Sequence, residues 1–206
     1  MTKEREIEAK TILPEAVYQK LVSDFTNKQV FTQVNYYFDT PNGILKANNI
    51  GCRVRVFADH AEQTLKVPDL DPVQRNFHEV IEITDQLTPE NANKIVKKAQ
   101  TGATCTFNGN VGQYLQQHFA DEQTHLRLQT WSKTKRILAD GPEGCELTLD
   151  ATSYPDQYTD YELEIENTNP ALIKKVLFTL ENNYNFRQTS KNKNQNKIAR
   201  AYMHRR

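Results

Sequence analysis

No stretch of this 206-residue chain approaches the roughly 18–20 apolar residues that a helix needs to cross a bilayer. The N-terminal run MTKEREIEAK lacks the charged-then-apolar layout of a secretory signal, and the expected location is the cytoplasm. Glycine is scarce, with seven residues, and none falls into a GxxxxGK[ST], GxGxxG or GxSxG order. P-loop, dinucleotide-binding and hydrolase-elbow chemistry therefore has no support. The three cysteines, Cys52, Cys105 and Cys145, are far apart and form no CxxC pair, which excludes a disulfide framework or a cysteine zinc site. The five histidines show no metal-like spacing. Net charge is zero, from 26 basic and 26 acidic residues, so bulk charge draws the chain neither to nucleic acid nor to a membrane. No repeat or Gly/Ser linker divides the chain, and one domain over 1–206 is expected.

Alternating segments are abundant instead. Strands are expected at Lys3–Thr11, Thr32–Asp39, Asn49–Phe57, Glu62–Val67, Phe77–Thr84, His125–Leu138, Glu146–Ala151, Tyr161–Asn167 and Phe186–Thr189. Turn chemistry such as Thr40-Pro41-Asn42-Gly43 separates several of them. Helices are expected after Leu13-Pro14-Glu15, from Thr88 to about Gln100, and over Gly112–Glu122, Pro170–Asn183 and Gln195–His204. Strands following one another with helices between some of them predict an α+β fold with a mostly antiparallel sheet. About eight strands are enough to close a barrel.

Residues i and i+2 of a strand share a face, and the strands sort their charges accordingly. The first puts Glu4, Glu6, Glu8 and Lys10 on one side; Asn49–Phe57 groups Arg53 with Arg55; Glu62–Val67 groups Thr64 with Lys66. Glu146, Thr148 and Asp150 share a face, as do Glu162, Glu164 and Glu166, each set opposite apolar neighbours. A single strand of this kind is usually a solvated face. Repeated strands that are wholly acidic or wholly basic are different, because like charges side by side destabilise an exposed sheet. Closed inwards, they give a carboxylate cluster facing a cationic wall. Arginine forks match phosphate oxygens. Clustered carboxylates tolerate that anion only with a divalent cation such as Mg²⁺ or Mn²⁺ between them.

Glu6-Ile7-Glu8-Ala9-Lys10 resembles the ExExK signature of the CYTH superfamily, the triphosphate tunnel metalloenzymes. Arg53-Val54-Arg55, Thr64-Leu65-Lys66, Leu149-Asp150, the acidic run Asp160–Glu166 and Asn196-Lys197-Ile198-Ala199-Arg200 resemble its later motifs in order. The resemblance implies an eight-stranded antiparallel closed β-barrel, the triphosphate tunnel, surrounded by helices. It implies substrates such as tripolyphosphate, ATP or thiamine triphosphate. By motif position, Glu6, Glu8, Asp150, Glu162 and Glu164 would hold the metal, with Glu166 on the same face and able to replace one. Lys10, Arg53, Arg55, Lys66 and Arg200 would cradle phosphates, with Lys197 in addition. Glu6, Glu8, Lys10, Arg53 and Arg55 form the expected catalytic set.

Two registers stay open. In Ser132-Lys133-Thr134-Lys135-Arg136 a one-residue slip exchanges Lys133 and Lys135 for Arg136, so all three are candidate phosphate ligands. Glu79 and Glu82 lie on opposite faces of one strand; Glu79 is the preferred tunnel acid. Tyr36, Tyr37, Phe38 and Trp131 are assigned to the core or the barrel exterior. The expected activity is metal-dependent hydrolysis of a triphosphate, foremost inorganic tripolyphosphate. The alternatives are cyclisation of ATP to cAMP and a non-enzymatic polyphosphate- or RNA-binding module using the basic tail from Lys191. Nucleic acid is the less favoured partner, because such a tail is more often a solvated helix. A homodimer would have to use helices or the outer surface, since a closed barrel has no sheet edge.

Overall fold

The computed structural model describes residues 2–72, 77–121 and 125–205, without the side chains of residues 2–6, Asn27 and His78. Among the described residues the strands are β1 Thr2–Leu13, β2 Asn27–Asp39, β3 Gly51–Val56, β4 Ala61–Pro68, β5 His78–Leu87, β6 Arg127–Asp140, β7 Glu146–Ser153 and β8 Thr159–Glu166. The helices are α1 Glu15–Asp24, α2 Ile44–Ala47, α3 Pro89–Gln100, α4 Gly109–His118, α5 Pro170–Tyr184 and α6 Lys197–Met203. The strands close into an antiparallel barrel in the order β1-β5-β4-β3-β2-β6-β7-β8. No described helix is long and apolar enough to cross a membrane.

Closure follows from two apolar layers on the outside of the barrel. Ile7, Ala9, Leu147, Leu149, Leu163 and Ile165 point away from the interior and pack with Leu21 of α1 and Ile173, Val176 and Leu180 of α5. Cys52, Val54, Leu65, Val67 and Ile83 do the same against Ala92 and Val96 of α3 and Val111 and Leu115 of α4. Period-2 alternation thus sends the aliphatic half of each strand outward to the helices and leaves the polar half facing in. All three cysteines are free and buried.

Local chemistry fixes the helices to the wall. Asp85, on the outer side of β5, accepts hydrogen bonds from the backbone N–H groups of Asn110 (3.0 Å) and Val111 (2.9 Å) at the start of α4. Gly109 there has φ +68°, and a Cβ would lie 2.6 Å from the Asp85 carboxylate, so glycine is required. Asp39 accepts from the N–H groups of Leu45 and Lys46 and starts α2, a turn of helix the sequence pattern did not announce.

The expected strand at Phe186–Thr189 is a correction: those residues join α5 to the tail without entering the sheet. β1 already has β5 and β8 as neighbours, so the barrel offers no vacant edge. Gln188 instead donates to the Lys10 carbonyl (3.1 Å) and the Thr11 hydroxyl (2.8 Å), tying the tail to β1. The other bounds shift by a few residues. α4 starts earlier and ends at His118, short of the expected Glu122, which lies outside the described residues.

Candidate active site in the barrel interior

Registers decide which charges meet. Lys10 pairs with Glu164, Glu8 with Glu166, Arg136 with Asp150 and Asp150 with Glu162, so β1, β6, β7 and β8 aim these side chains at one another. Arg53 lies opposite Thr64, Lys66 opposite Glu82 and Arg55 opposite Asn35 and Glu62, giving a second charged region on β2 to β5. Between the two is a cavity of about 480 Å³ lined by Lys10, Arg53, Arg55, Lys66, Glu82, Arg136, Glu164, Glu166 and Lys197. Its volume lies in the range of small-molecule sites.

The acidic side is knitted together by cations. Arg136 binds Asp150 through two hydrogen bonds of 2.9 and 2.7 Å and reaches Glu164 at 2.9 Å. Lys10 Nζ stands 2.6 Å from Glu8 and 3.4 Å from Glu164. Burial alone would raise the Asp150 pKa, but the charges of Arg136 and Lys197 outweigh it and hold the carboxyl below its ordinary range. Glu164 is held well below its ordinary range too: burial opposes, and Lys197, Lys10 and Arg136 prevail. For Glu162 burial prevails and the pKa rises, despite Lys197 and Arg200. Three adjacent carboxyls are thereby pushed apart in acidity by their partners.

The basic side is more weakly compensated. Arg55 donates to Asn35 Oδ1 (2.9 Å) and Glu62 (3.2 Å), yet burial and then the charge of Arg53 push its pKa down to about 10. Lys66 is matched to Glu82 at 2.6 Å. Among the described residues the nearest acidic oxygens to Arg53 lie at 3.6 and 3.9 Å, on Glu82 and Glu62. Its buried Nε makes no hydrogen bond to any described residue. A guanidinium whose buried Nε is left that way calls for an anion from outside the chain.

Glu8, Glu164 and Glu166 each offer a carboxylate oxygen, all within 4.8 Å of one another. A donor set made only of hard oxygens fits Mg²⁺ or Mn²⁺. The side chain of Glu6, expected in the same role, lies outside the described residues; its backbone pairs with Val80 of β5, with the parity of Glu8. Asp150 and Glu162, expected with them, stand instead among Arg136, Lys197 and Arg200.

Several expected residues sit elsewhere. Lys133 and Lys135 point out of the barrel and are exposed, while Arg136 points in; the inward partners on that strand are the small hydroxyl residues Ser132 and Thr134, both buried. Glu79 is opposite Ile7 on the outward parity, and the inward acid of β5 is Glu82, whose pKa is lowered although burial opposes, through Lys66 and Arg53. Arg200 does not line the cavity. It is buried under α6, bound to Glu162, to Asp160 (2.7 Å), to the Tyr154 hydroxyl (3.0 Å) and to the Gln195 carbonyl (2.5 Å). That guanidinium anchors the tail helix. Tyr37, expected in the core or outside, also faces in, its hydroxyl 3.1 Å from Ser132 Oγ. Trp131 is on the exterior, as expected.

Residues that the pattern missed gather at the cavity mouth. Lys46, Asn49, Ile50, Ile198 and Tyr202 line it, with Lys46 Nζ 5.1 Å above the Tyr202 ring. They come from α2, a loop and α6, where no two-residue period marks an inward position. Asn35 and Glu62 did have strand parity as a signal, the same one that picked out Arg55.

Fold and interior together define a charged β-tunnel, acidic along one wall and basic along the other. The CYTH domain profile matches residues 4–202, and the chain belongs to the CYTH domain family. No curated protein matches it. Among solved structures, a candidate adenylate cyclase of Bacillus halodurans is similar at 25% identity, covering 97% of this chain and 98% of its own, with a TM-score of 0.80. A candidate adenylyl cyclase of Hippeastrum, described as having a dominant triphosphatase activity, is similar at 21% identity, with coverage of 97% and 96% and a TM-score of 0.77. A Pyrococcus horikoshii protein shares the fold at 16% identity over 89% of this chain and 92% of its own, with a TM-score of 0.54.

Proposed function

We propose that the chain is a divalent-metal-dependent triphosphatase whose foremost substrate is inorganic tripolyphosphate. The observation that carries this is Arg53, beside Arg55, whose buried Nε makes no hydrogen bond to any described residue and which faces carboxylates across a cavity. A linear polyanion spanning the cavity would meet both walls. Arg53, Arg55 and Lys66 would hold its phosphates, and Lys10 and Arg136 would reach it from the acidic side. Glu62 and Glu82, paired with the two arginines and Lys66, would keep them extended towards such an anion.

Glu8, Glu164 and Glu166, with Glu6 by parity, are the residues that would hold Mg²⁺ or Mn²⁺. A divalent cation there supplies Lewis-acid stabilisation of charge developing on the phosphoryl oxygens. Phosphoryl transfer is mainly positioning and electrostatics. The chain's contribution is a fixed array of donors in an interior shielded from bulk water, which makes each charge count for more. Arg53 and Arg55 would neutralise the leaving diphosphate.

Cyclisation of ATP is the second reading, favoured by the Ile50, Ile198 and Tyr202 surface beside the charged interior, where an adenine would find apolar cover. Phosphate release from tripolyphosphate and from ATP, each with Mg²⁺, Mn²⁺ or EDTA, separates the two. Fast, EDTA-sensitive release from tripolyphosphate with slow ATP turnover supports the triphosphatase. Formation of cAMP with pyrophosphate replaces it with the cyclase, and no turnover of either overturns both.

A further inference from the structure

The cavity mouth carries an aromatic ring that cations already cover. Lys46 Nζ lies 5.1 Å from the centre of the Tyr202 ring, and Arg205 Cζ lies 5.3 Å from the same centre. Both sides of the Lys46–Tyr202 contact are anchored. Asp39 accepts from the backbone N–H groups of Thr40, Leu45 and Lys46 at 2.7, 2.9 and 3.0 Å, which pins α2 beside the mouth. Tyr202 follows Arg200, bound to Glu162 and Asp160, and Ala201, whose carbonyl accepts from Thr130 Oγ1 at 3.0 Å. Among the described residues neither Lys46 nor Arg205 has a carboxylate within ion-pairing distance.

A cation over a ring is held by the electron-rich face, the same surface that a stacking base needs. Lys46 and Tyr202 line the cavity together, so an incoming ligand meets ammonium and ring as a unit. Tyr37, the other aromatic residue of the lining, is buried with its hydroxyl 3.1 Å from Ser132 Oγ, and Ile50 is buried as well. We infer, resting on the triphosphatase reading, that Lys46 is a specificity-determining residue: by capping Tyr202 it turns a base-stacking mouth into a phosphate-binding one. An inorganic chain ends there in a charged phosphate, which pairs with an ammonium that has no carboxylate of its own. ATP would bring ribose and adenine instead, and stacking would force Lys46 off the ring with no ion pair in return.

The test is kcat and KM, each for tripolyphosphate and for ATP with Mg²⁺, in wild type, Lys46→Met and Lys46→Arg. Lys46→Met keeps the length of the side chain and removes its charge. It is expected to raise KM for tripolyphosphate and lower KM for ATP, so that the preference for tripolyphosphate in kcat/KM falls about five-fold, the scale of one exposed cation–ring contact. Lys46→Arg keeps a cation on the ring and is expected to restore the preference. In a Tyr202→Leu chain, which has no ring to uncover, Lys46→Met should bring no gain with ATP. An unchanged preference in Lys46→Met, or equal losses with both substrates, overturns the role of Lys46 and leaves the triphosphatase proposal standing. A wild type that turns over neither substrate, or prefers ATP, overturns both. The two Lys46 variants decide even if Tyr202→Leu fails to fold.

Discussion

The walls of the tunnel are built on the same alternating plan and end in opposite electrostatic states. On β1, β6, β7 and β8 the carboxylates are met by cations brought from β1 itself, β6 and α6: Lys10, Arg136, Lys197 and Arg200. On β3 and β4 two arginines and a lysine share Glu62 and Glu82, and Arg53 receives, among the described residues, acidic contacts of 3.6 Å and more. The acidic wall is densely ion-paired and holds structure together, although Glu162 Oε1 and Asp160 Oδ1 make no hydrogen bond to described residues; on the basic wall Arg53 Nε is the atom left without one. Stability and ligand demand are thus divided between the two sides of one barrel.

Breaking the acidic wall should have the largest effect on stability. Arg200→Ala would strand buried Glu162 and Asp160 and is expected to cost about 3–5 kcal/mol, seen as a lower midpoint in urea unfolding. Breaking the basic wall should spare the fold and remove activity. Arg53→Ala is expected to lower kcat/KM for tripolyphosphate by about 10²–10³-fold, the scale of losing one preorganised donor. Its melting temperature should stay close to wild type, because Arg53 makes few close contacts. An Arg53→Ala enzyme with near wild-type turnover would show that the basic wall is scaffold after all.

Acid should expose the compensation on the basic wall. The folded-state pKa of Glu82 is lowered from its ordinary value of 4.5 by Lys66 and Arg53 against the opposing effect of burial. Its contribution to stability is therefore complete above pH 4.5 and drains away as pH falls through the lower folded value. Glu82→Gln should flatten that acid limb in a series of unfolding curves. The smallest effect belongs to the exterior: Lys133→Ala and Lys135→Ala are expected to change stability by about 0.5 kcal/mol or less and to leave KM for tripolyphosphate unaltered.

Legibility in the sequence tracked this division. Wherever one parity of a strand is charged and the other aliphatic, as in Arg53-Val54-Arg55 or Glu162-Leu163-Glu164, the inward face could be read directly, and with it the barrel. β6 defeated that rule because both parities carry cations, and only the closed sheet shows that buried Ser132 and Thr134 accompany Arg136. β5 defeated it because Glu79 and Glu82 are three apart, and pairing with Ile7 sends Glu79 outward. Arg200 is expected as a phosphate ligand from its motif position, whereas its partners Glu162, Asp160 and Tyr154 are assembled only in three dimensions. The mouth residues Lys46 and Tyr202 had no periodic signal at all.

The barrel's closing seam joins β1 to β8, strands far apart in sequence. β1, at residues 2–13, has β8, at residues 159–166, as one neighbour, and the Lys10 carbonyl accepts from the Asn194 N–H at 3.0 Å. β1 must therefore wait for β8, with Lys10 and Glu164 separated by 154 residues, and contacts of such sequence separation make for slow folding. Glu8 and Lys10 on one side of that seam meet Glu164 and Lys197 from the other. A nascent or C-terminally clipped chain would lack Glu164, Glu166 and Lys197, half of its candidate metal ligands among them, so appearance of activity would serve as a clock for the final step of folding.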